Sequence, residues 1–108
     1  MFCHERHDAH QDHRLVNEMV WGAFRNHLIL EYEIVKYDGG LGSPCVFVPL
    51  SRAIQRRKVQ LLLREFGSQR ARQWFTAETF NAIARIRGVE CNAPSGYAEA
   101  FYGRKILI

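Results

Sequence analysis

Segments with the period of a β-strand alternate along this sequence with segments that have the period of an α-helix. Leu30, Tyr32 and Ile34 are separated by single charged residues, which is the two-residue period of a strand. Before and after this segment, apolar residues recur every three to four positions, as they do along one side of a helix. The alternation predicts a layered α/β sheet rather than a helical bundle or a β-sandwich.

Capping and turn residues set the bounds of the predicted elements. In chain order we predict a strand stub at residues 1–3, a helix at 12–27 capped by Asp12, a strand at 28–37, a short apolar run at 45–50, a helix from the N-cap Ser51 to residue 66, a helix from the N-cap Thr76 to a stop at Gly88, and a closing strand at 97–108. The glycines and proline of residues 38–44 predict a loop. The result is a thin sheet of about three strands with three helices.

The same spacing predicts which side chains face inward. These are Ile54, Val59, Leu62, Leu63 and Phe66 on the second helix, and Phe80, Ile83 and Ala84 on the third. Glu31 and Glu33 share one face of their strand and are expected to face water, although paired carboxylates could also do acid–base chemistry or bind an amino sugar. Arg85 and Arg87 are expected to form an ion-pair cluster with Glu99.

Composition excludes several classes of protein. A chain of 108 residues forms one small domain at most, and its longest apolar runs fall far short of the ~20 residues that a membrane span requires. The net charge is +4, but the basic residues between 52 and 72 have the pattern of a solvated helix face, so we expect no nucleic-acid partner. Three widely spaced cysteines and a terminus without an export signal indicate reduced thiols in a cytoplasmic protein.

Residues 4–13 are the segment of this sequence whose side chains suggest a metal site. They contain four of the five histidines and two aspartates, and such density is rarely needed for packing. Imidazole nitrogens and carboxylate oxygens are the ligands of a catalytic zinc ion, which takes three of them and leaves one position for water. His10 and His13 would lie one turn apart on a helix. The alternative is an exposed His-rich loop that binds metal only adventitiously.

Motifs at both ends of the chain resemble one family. His10-Gln11-Asp12-His13, opening a helix after a strand, resembles the His-x-Asp-His motif of the PIG-L/LmbE-like zinc-dependent N-deacetylases. Residues 87–91 (Arg-Gly-Val-Glu-Cys) and 96–101 (Gly-Tyr-Ala-Glu-Ala-Phe) resemble the terminal segment of that family. The resemblance implies a Rossmann-like three-layer domain around a parallel sheet, and zinc-dependent hydrolysis of an N-acetyl group on an amino sugar or sugar-like substrate.

The resemblance also implies roles for three residues. His13 would be a zinc ligand, His10 would stabilise the oxyanion or deliver a proton, and Asp12 would hold a neighbouring imidazole in orientation. These roles agree with what metal-assisted amide hydrolysis needs, namely a metal ligand, a residue that orients it and an electrophilic donor.

One motif of the family is missing from the sequence. The Ala-His-Pro-Asp-Asp segment, which in the family supplies the general base and two further zinc ligands, does not occur here. We therefore interpret residues 1–108 as a single partial domain, the carboxy-terminal half of a deacetylase, with weak zinc binding. The alternative function is a non-catalytic remnant or assembly module. In either case we expect self-association or pairing with the missing amino-terminal half.

Overall fold

A computed structural model describes residues 1–37 and 39–106. Its elements are β1 (Phe2–His4), α1 (Gln11–Ala23), β2 (Ile29–Tyr32), β3 (Val46–Leu50), α2 (Arg52–Glu65), a 3₁₀ turn (Gly67–Gln69), α3 (Ala77–Glu90) and β4 (Tyr97–Lys105). Asp38, where the predicted loop begins, and Leu107 and Ile108, where the predicted closing strand ends, lie outside the described residues. The α/β prediction with three helices is confirmed.

The described strands form one mixed sheet in the order β1-β2-β4-β3. β1 and β2 are parallel, with Phe2 opposite Leu30, as expected for two strands joined through a helix. β4 is antiparallel to β2, so the expectation of a parallel sheet is wrong for this pair. The sheet has four described strands rather than about three, because the apolar run that follows Cys45 is itself a strand.

The described residues divide into two compact units. The first contains residues 1–34, 39–46 and 100–106, and its buried apolar side chains include Cys3, Ile29 and Phe101. The second contains Val35–Tyr37 and Phe47–Glu99, in which α2 packs on α3. Its buried apolar side chains are Val59, Phe75, Ala84, Ala93 and Ala98.

Side-chain caps fix the starts of all three helices. The hydroxyls of Ser51 and Thr76 each accept a hydrogen bond from a backbone amide three residues on, at 3.1 and 3.2 Å, which confirms both predicted N-caps. The prediction for α1 is wrong by two residues. His10 has the extended backbone of an N-cap, and its Nδ1 accepts from the amide of Asp12 at 3.2 Å, so Asp12 lies inside the first turn.

Two elements are shorter than predicted. β2 ends at Tyr32 rather than at residue 37. Its pairing with β1 stops at His4, where β1 ends, and its register with β4 stops at Phe101. α1 ends at Ala23 rather than at residue 27, and its C-cap is Phe24. The chain has to turn within residues 24–28 to enter β2 beside β1.

Polar side chains take buried positions that the apolar pattern assigns to other residues. On α2, Val59 is buried as predicted, but Ile54 and Phe66 are exposed and Gln55 is buried instead. The Gln55 amide nitrogen donates to Oδ1 of Asn81 on α3 at 3.0 Å, whereas its buried Oε1 makes no hydrogen bond among the described residues. The inward positions predicted for Ile54 and Phe66 are therefore wrong.

Gly88 does not end α3, which continues to Glu90. The residue is buried, and a Cβ added there would collide with the backbone carbonyl of Gly96. A glycine is therefore needed at this position because the helix approaches the turn closely, and not because the helix ends there. Cys91 takes the C-cap position.

The ion pairs near α3 also differ from the expected cluster. Buried Arg87 binds both carboxylate oxygens of Glu90 at 2.8 Å, and Arg85 donates to the carbonyl of Gly96 at 3.0 Å. Glu99 pairs with Lys58 on α2 instead. Arg87 and Glu90 lie three residues apart on one helix face, and side chains at this spacing are neighbours that can form an ion pair.

No helix among residues 1–37 and 39–106 is both long enough and apolar enough to cross a bilayer.

Candidate metal centre

The connection between β1 and α1 brings two histidines and an aspartate together. His4 is the last residue of β1, Asp8 lies in the following loop, and His13 lies in the first turn of α1. One potential ligand atom from each lies within 4.8 Å of the others. The three residues come from the end of a strand, a turn and the start of a helix, so their convergence depends on the β–α connection.

The imidazoles of His4 and His13 are stacked, with ring centroids 3.8 Å apart and planes inclined by 2°. Nδ1 of His13 lies 3.1 Å from Oδ1 of Asp8. This distance is within ion-pair range, yet Nδ1 of His13 makes no hydrogen bond among the described residues. The contact is therefore a close approach of two potential ligand atoms.

Backbone contacts hold Asp8 in place. Oδ1 of Asp8 accepts from the amide of His10 at 2.8 Å, and the amide of Asp8 donates to the carbonyl of Glu5 at 3.1 Å. The Arg14 guanidinium donates to the carbonyls of Asp8 and Ala9 at 2.8 and 2.9 Å. Arg14 thus attaches the loop to the first turn of α1, and the buried Asp8 carboxylate has a fixed direction.

Tyr32 closes one side of the cluster. Its hydroxyl lies 3.4 Å from Nε2 of His4, and its ring packs against that imidazole at a centroid distance of 4.9 Å. Burial, followed by the nearby Cys3 and Asp8, raises the pKa of the Tyr32 hydroxyl. Tyr32 therefore keeps its proton at neutral pH and can act there as a hydrogen-bond donor.

The three predicted site residues, His10, Asp12 and His13, differ in their positions relative to this cluster. His13 lies in the cluster, and His10 lies next to it, with its ring centroid 4.7 Å from that of His13. The Asp12 side chain is 72% exposed, and its carboxylate lies 4.0 Å from Nδ1 of His10. The carboxylate at 3.1 Å from Nδ1 of His13 is that of Asp8.

The residues present suit a divalent transition metal. Two imidazoles and one carboxylate are a donor set that zinc takes in hydrolytic sites, where a fourth position stays open for water. Side chains of this kind satisfy a zinc ion without cysteine, and neither His13 nor Asp8 is fully exposed. The donor atoms of His4, Asp8 and His13 are therefore of the types that bind zinc.

A buried carboxylate lies next to this centre, at a position where the sequence pattern predicts an exposed one. Glu31 on β2 has an exposed fraction of 0%, so the prediction that it faces water is wrong. Its Oε1 accepts from the side chains of Asn17 and Trp21, each at 2.8 Å, and its Oε2 from the amide of Arg6 at 3.2 Å. Arg104 on β4 completes the set at 2.7 Å from Oε2. These four partners compensate for the burial of the Glu31 carboxylate.

The burial of Cys3 gives a prediction about thiol reactivity. Burial, and then the charge of Glu31, raise the pKa of the Cys3 thiol, so the nucleophilic thiolate is scarcer there. Cys45 is exposed. Iodoacetamide at neutral pH should therefore alkylate Cys45 first and Cys3 far more slowly, with mass spectrometry of digests locating the label. Equal rates in the native protein would contradict the packing of β1; equal rates in 8 M urea are the control.

Two members of the cluster could not be assigned from motif spacing. His4 is one of several histidines in the segment, and Asp8 has no partner at a recognised spacing. A signal for His4 exists, since it ends a strand directly before the loop. Glu31 also has a signal: Asn17 and Trp21 are one helical turn apart on α1, and a helix that directs an amide and an indole N–H at a sheet needs an acceptor there.

Comparisons with known proteins leave the family open. The sequence matches no protein-family model, and no curated protein or solved structure gives a match.

Proposed function

We propose that this chain takes part in the zinc-dependent hydrolysis of an N-acetyl group on an amino sugar or sugar-like substrate. The observation that carries the proposal is the convergence of His4, Asp8 and His13 within 4.8 Å, directly next to His10 and at the start of α1. The His-x-Asp-His resemblance adds the reaction class. A Rossmann-like LmbE-type domain, of which residues 1–108 form the carboxy-terminal part, and a cytoplasmic location belong to the same proposal.

In this proposal His4, Asp8 and His13 hold the zinc ion. Bound there, zinc would polarise the substrate carbonyl and lower the pKa of a water molecule. The side chain of His10 is half exposed and lies beside His13. It donates a hydrogen bond to the developing oxyanion or a proton to the leaving amine. The protonated Tyr32 hydroxyl is a second donor, and Asp12 orients the His10 ring.

The general base is the part that this sequence lacks. Among the described carboxylates near the cluster, Glu5 and Glu31 both bind Arg104, Asp8 is in the ligand set, and the exposed Asp12 lies beside His10. We therefore propose that the Ala-His-Pro-Asp-Asp motif of the family would have to come from a further polypeptide segment.

Zinc titration of histidine variants tests the metal site. His4→Ala and His13→Ala should each weaken zinc binding by at least about a hundredfold, because each removes one of only three ligands. His7→Ala, which changes an exposed histidine of the same loop, should bind as the wild type does. If only His13→Ala weakens binding, the ligand is the one that the family resemblance implies, and the His4–Asp8–His13 set is wrong.

An acetate-release assay tests the reaction. The zinc-loaded chain alone should not release acetate from N-acetylglucosamine derivatives above a His10→Ala control, because the general base is missing. Addition of an amino-terminal segment that carries Ala-His-Pro-Asp-Asp should give release that His10→Ala abolishes. Turnover by the chain alone, or complemented turnover that is indifferent to His10, would contradict the assignment.

A second candidate function is assembly through a second copy of the chain. β1 is at one edge of the sheet, and no described strand pairs with its outer side. Phe2 on this strand and Leu15, Val16 and Met19 on α1 are exposed, Met19 by 65%. Like strand edges pair with one another and exposed apolar area favours association. Light scattering after size exclusion should show a dimer or larger species; a monomer at micromolar concentration would exclude this candidate.

A further inference from the structure

We infer that Glu31 is a positioning residue, which fixes the loop between the ligands His4 and Asp8 in the conformation that the metal centre requires. The inference rests on the proposed metal site and concerns a residue outside it. Glu31 belongs to β2, whereas the candidate ligands belong to β1, α1 and their connection. Its carboxylate nonetheless accepts hydrogen bonds from α1 and from the connection, and Asn17 links it to the backbone of His4 on β1.

One carboxylate oxygen holds the helix side of the site. Oε1 of Glu31 accepts from Nδ2 of Asn17 and from Nε1 of Trp21, both on α1, at 2.8 Å. The same Asn17 amide donates to the carbonyl of His4 at 2.8 Å. Asn17 therefore connects the backbone of one ligand, His4, to the helix that carries another, His13.

The other oxygen holds the loop side. Oε2 of Glu31 accepts from the amide of Arg6 at 3.2 Å and from the Arg104 guanidinium at 2.7 Å. Arg104 also binds the Glu5 carboxylate at 3.1 Å. Two consecutive loop residues are thus fixed, one through its backbone and one through its side chain, and Asp8 follows two residues later.

A fully buried carboxylate with an arginine on one side and neutral donors on the other is costly unless every contact is made. A packing role at this position would be filled as well by an apolar side chain, as it is at the neighbouring buried Ile29. The contacts of Glu31 instead reach the loop backbone directly at Arg6, and the backbone of His4 through the side chain of Asn17. Outer contacts of this kind orient metal ligands.

The substitution Glu31→Gln separates the two sides. Its carbonyl oxygen can still accept from Asn17 and Trp21, but its amide nitrogen replaces Oε2 and faces two donors, the Arg6 N–H and Arg104. Only the loop side should therefore loosen. Glu18→Gln is the matched control, because it makes the same change at an exposed position of α1.

Two readouts keep this inference distinct from the proposed function. In the metal-free chain, hydrogen exchange of the Arg6 amide should speed up about tenfold or more in Glu31→Gln, with Glu18→Gln unchanged. In zinc titrations, Glu31→Gln should weaken binding by about ten- to a hundredfold, and the visible spectrum of the cobalt-substituted protein should change. If the wild type binds no metal, the proposed function fails whatever the exchange shows, and with it the metal-related part of this inference.

Wild-type affinity, cobalt spectrum and Arg6 exchange in a folded Glu31→Gln protein would overturn the positioning role while leaving the metal site intact. Where Glu31→Gln does not fold, Glu5→Ala replaces it, because it removes the second anchor of Arg104 on the loop without touching the buried carboxylate. This variant should fold, exchange faster at Arg6 and weaken zinc binding by several-fold. Unchanged zinc affinity in Glu5→Ala would then overturn the inference.

Discussion

Replacing Arg104 by Met should lower the free energy of unfolding by about 3–5 kcal/mol, the cost of leaving one partner of a buried ion pair without the other. Arg104 lies between Glu31, which is fully buried, and Glu5, with 2.7 and 3.1 Å contacts. Methionine keeps most of the side-chain volume, so the lost charge and hydrogen bonds dominate. Urea denaturation followed by circular dichroism measures the change.

Two further variants make the Arg104 result specific. Arg56→Met removes a guanidinium from the exposed side of α2 and should change stability by less than about 0.5 kcal/mol. Combining Arg104→Met with Glu31→Gln should recover part of the loss, since the second change removes the buried charge that the first leaves unpaired. A loss below about 1 kcal/mol for Arg104→Met would mean that Glu31 is not buried against it.

Gly88→Ala should lower the free energy of unfolding by about 3 kcal/mol, at the upper end of what overpacking costs. The added Cβ would collide with the backbone carbonyl of Gly96, and backbone atoms cannot turn aside as a flexible side chain can. Gly96 itself has a φ of 85°, in the left-handed region that favours glycine. Its backbone is therefore fixed by the turn and cannot move easily to make room for the added Cβ.

Gly22 provides the matched control, because it is also a helical glycine and has no atom within 4 Å of an added Cβ. Gly22→Ala should stabilise the protein by about 0.5–1 kcal/mol, through helix propensity alone. The two substitutions are chemically identical, so opposite signs in the same urea assay isolate the close approach of Gly88 to Gly96. Equal effects would contradict the packing of α3 against that turn.

Local signals predict the elements of this fold well where a side chain acts on its own neighbouring backbone. Ser51 and Thr76 cap helices in the way their hydroxyls allow, and the α/β alternation follows from periodicity. The cap of α1 is an exception, because His10 rather than Asp12 caps that helix. The other errors arise where distant contacts decide. The sequence predicts a helix stop at Gly88 because the residue whose closeness requires a glycine there, Gly96, lies in the turn beyond the helix. β2 ends where its pairing with β1 and β4 stops.

The candidate site shows the same division. His13 could be named as a candidate ligand because it ends a short motif, His10-Gln11-Asp12-His13, at the start of a predicted helix. Asp8 could not, because only the folded loop places its carboxylate beside His13. Glu31 follows the alternation of an exposed strand face, and its burial depends on Arg104, which is 73 residues further along the chain. Charge pairing over such a separation leaves no periodic signal.

The proposed function requires His4, Asp8 and His13 to hold one divalent ion together. Diffraction at the zinc absorption edge, from crystals grown with one equivalent of zinc, tests this requirement. We expect a single anomalous peak at this cluster, about 2.0–2.1 Å from one nitrogen of each histidine and about 2.0–2.2 Å from an Asp8 oxygen. A peak at Cys45, Cys91 or His7 with none at the cluster would contradict it.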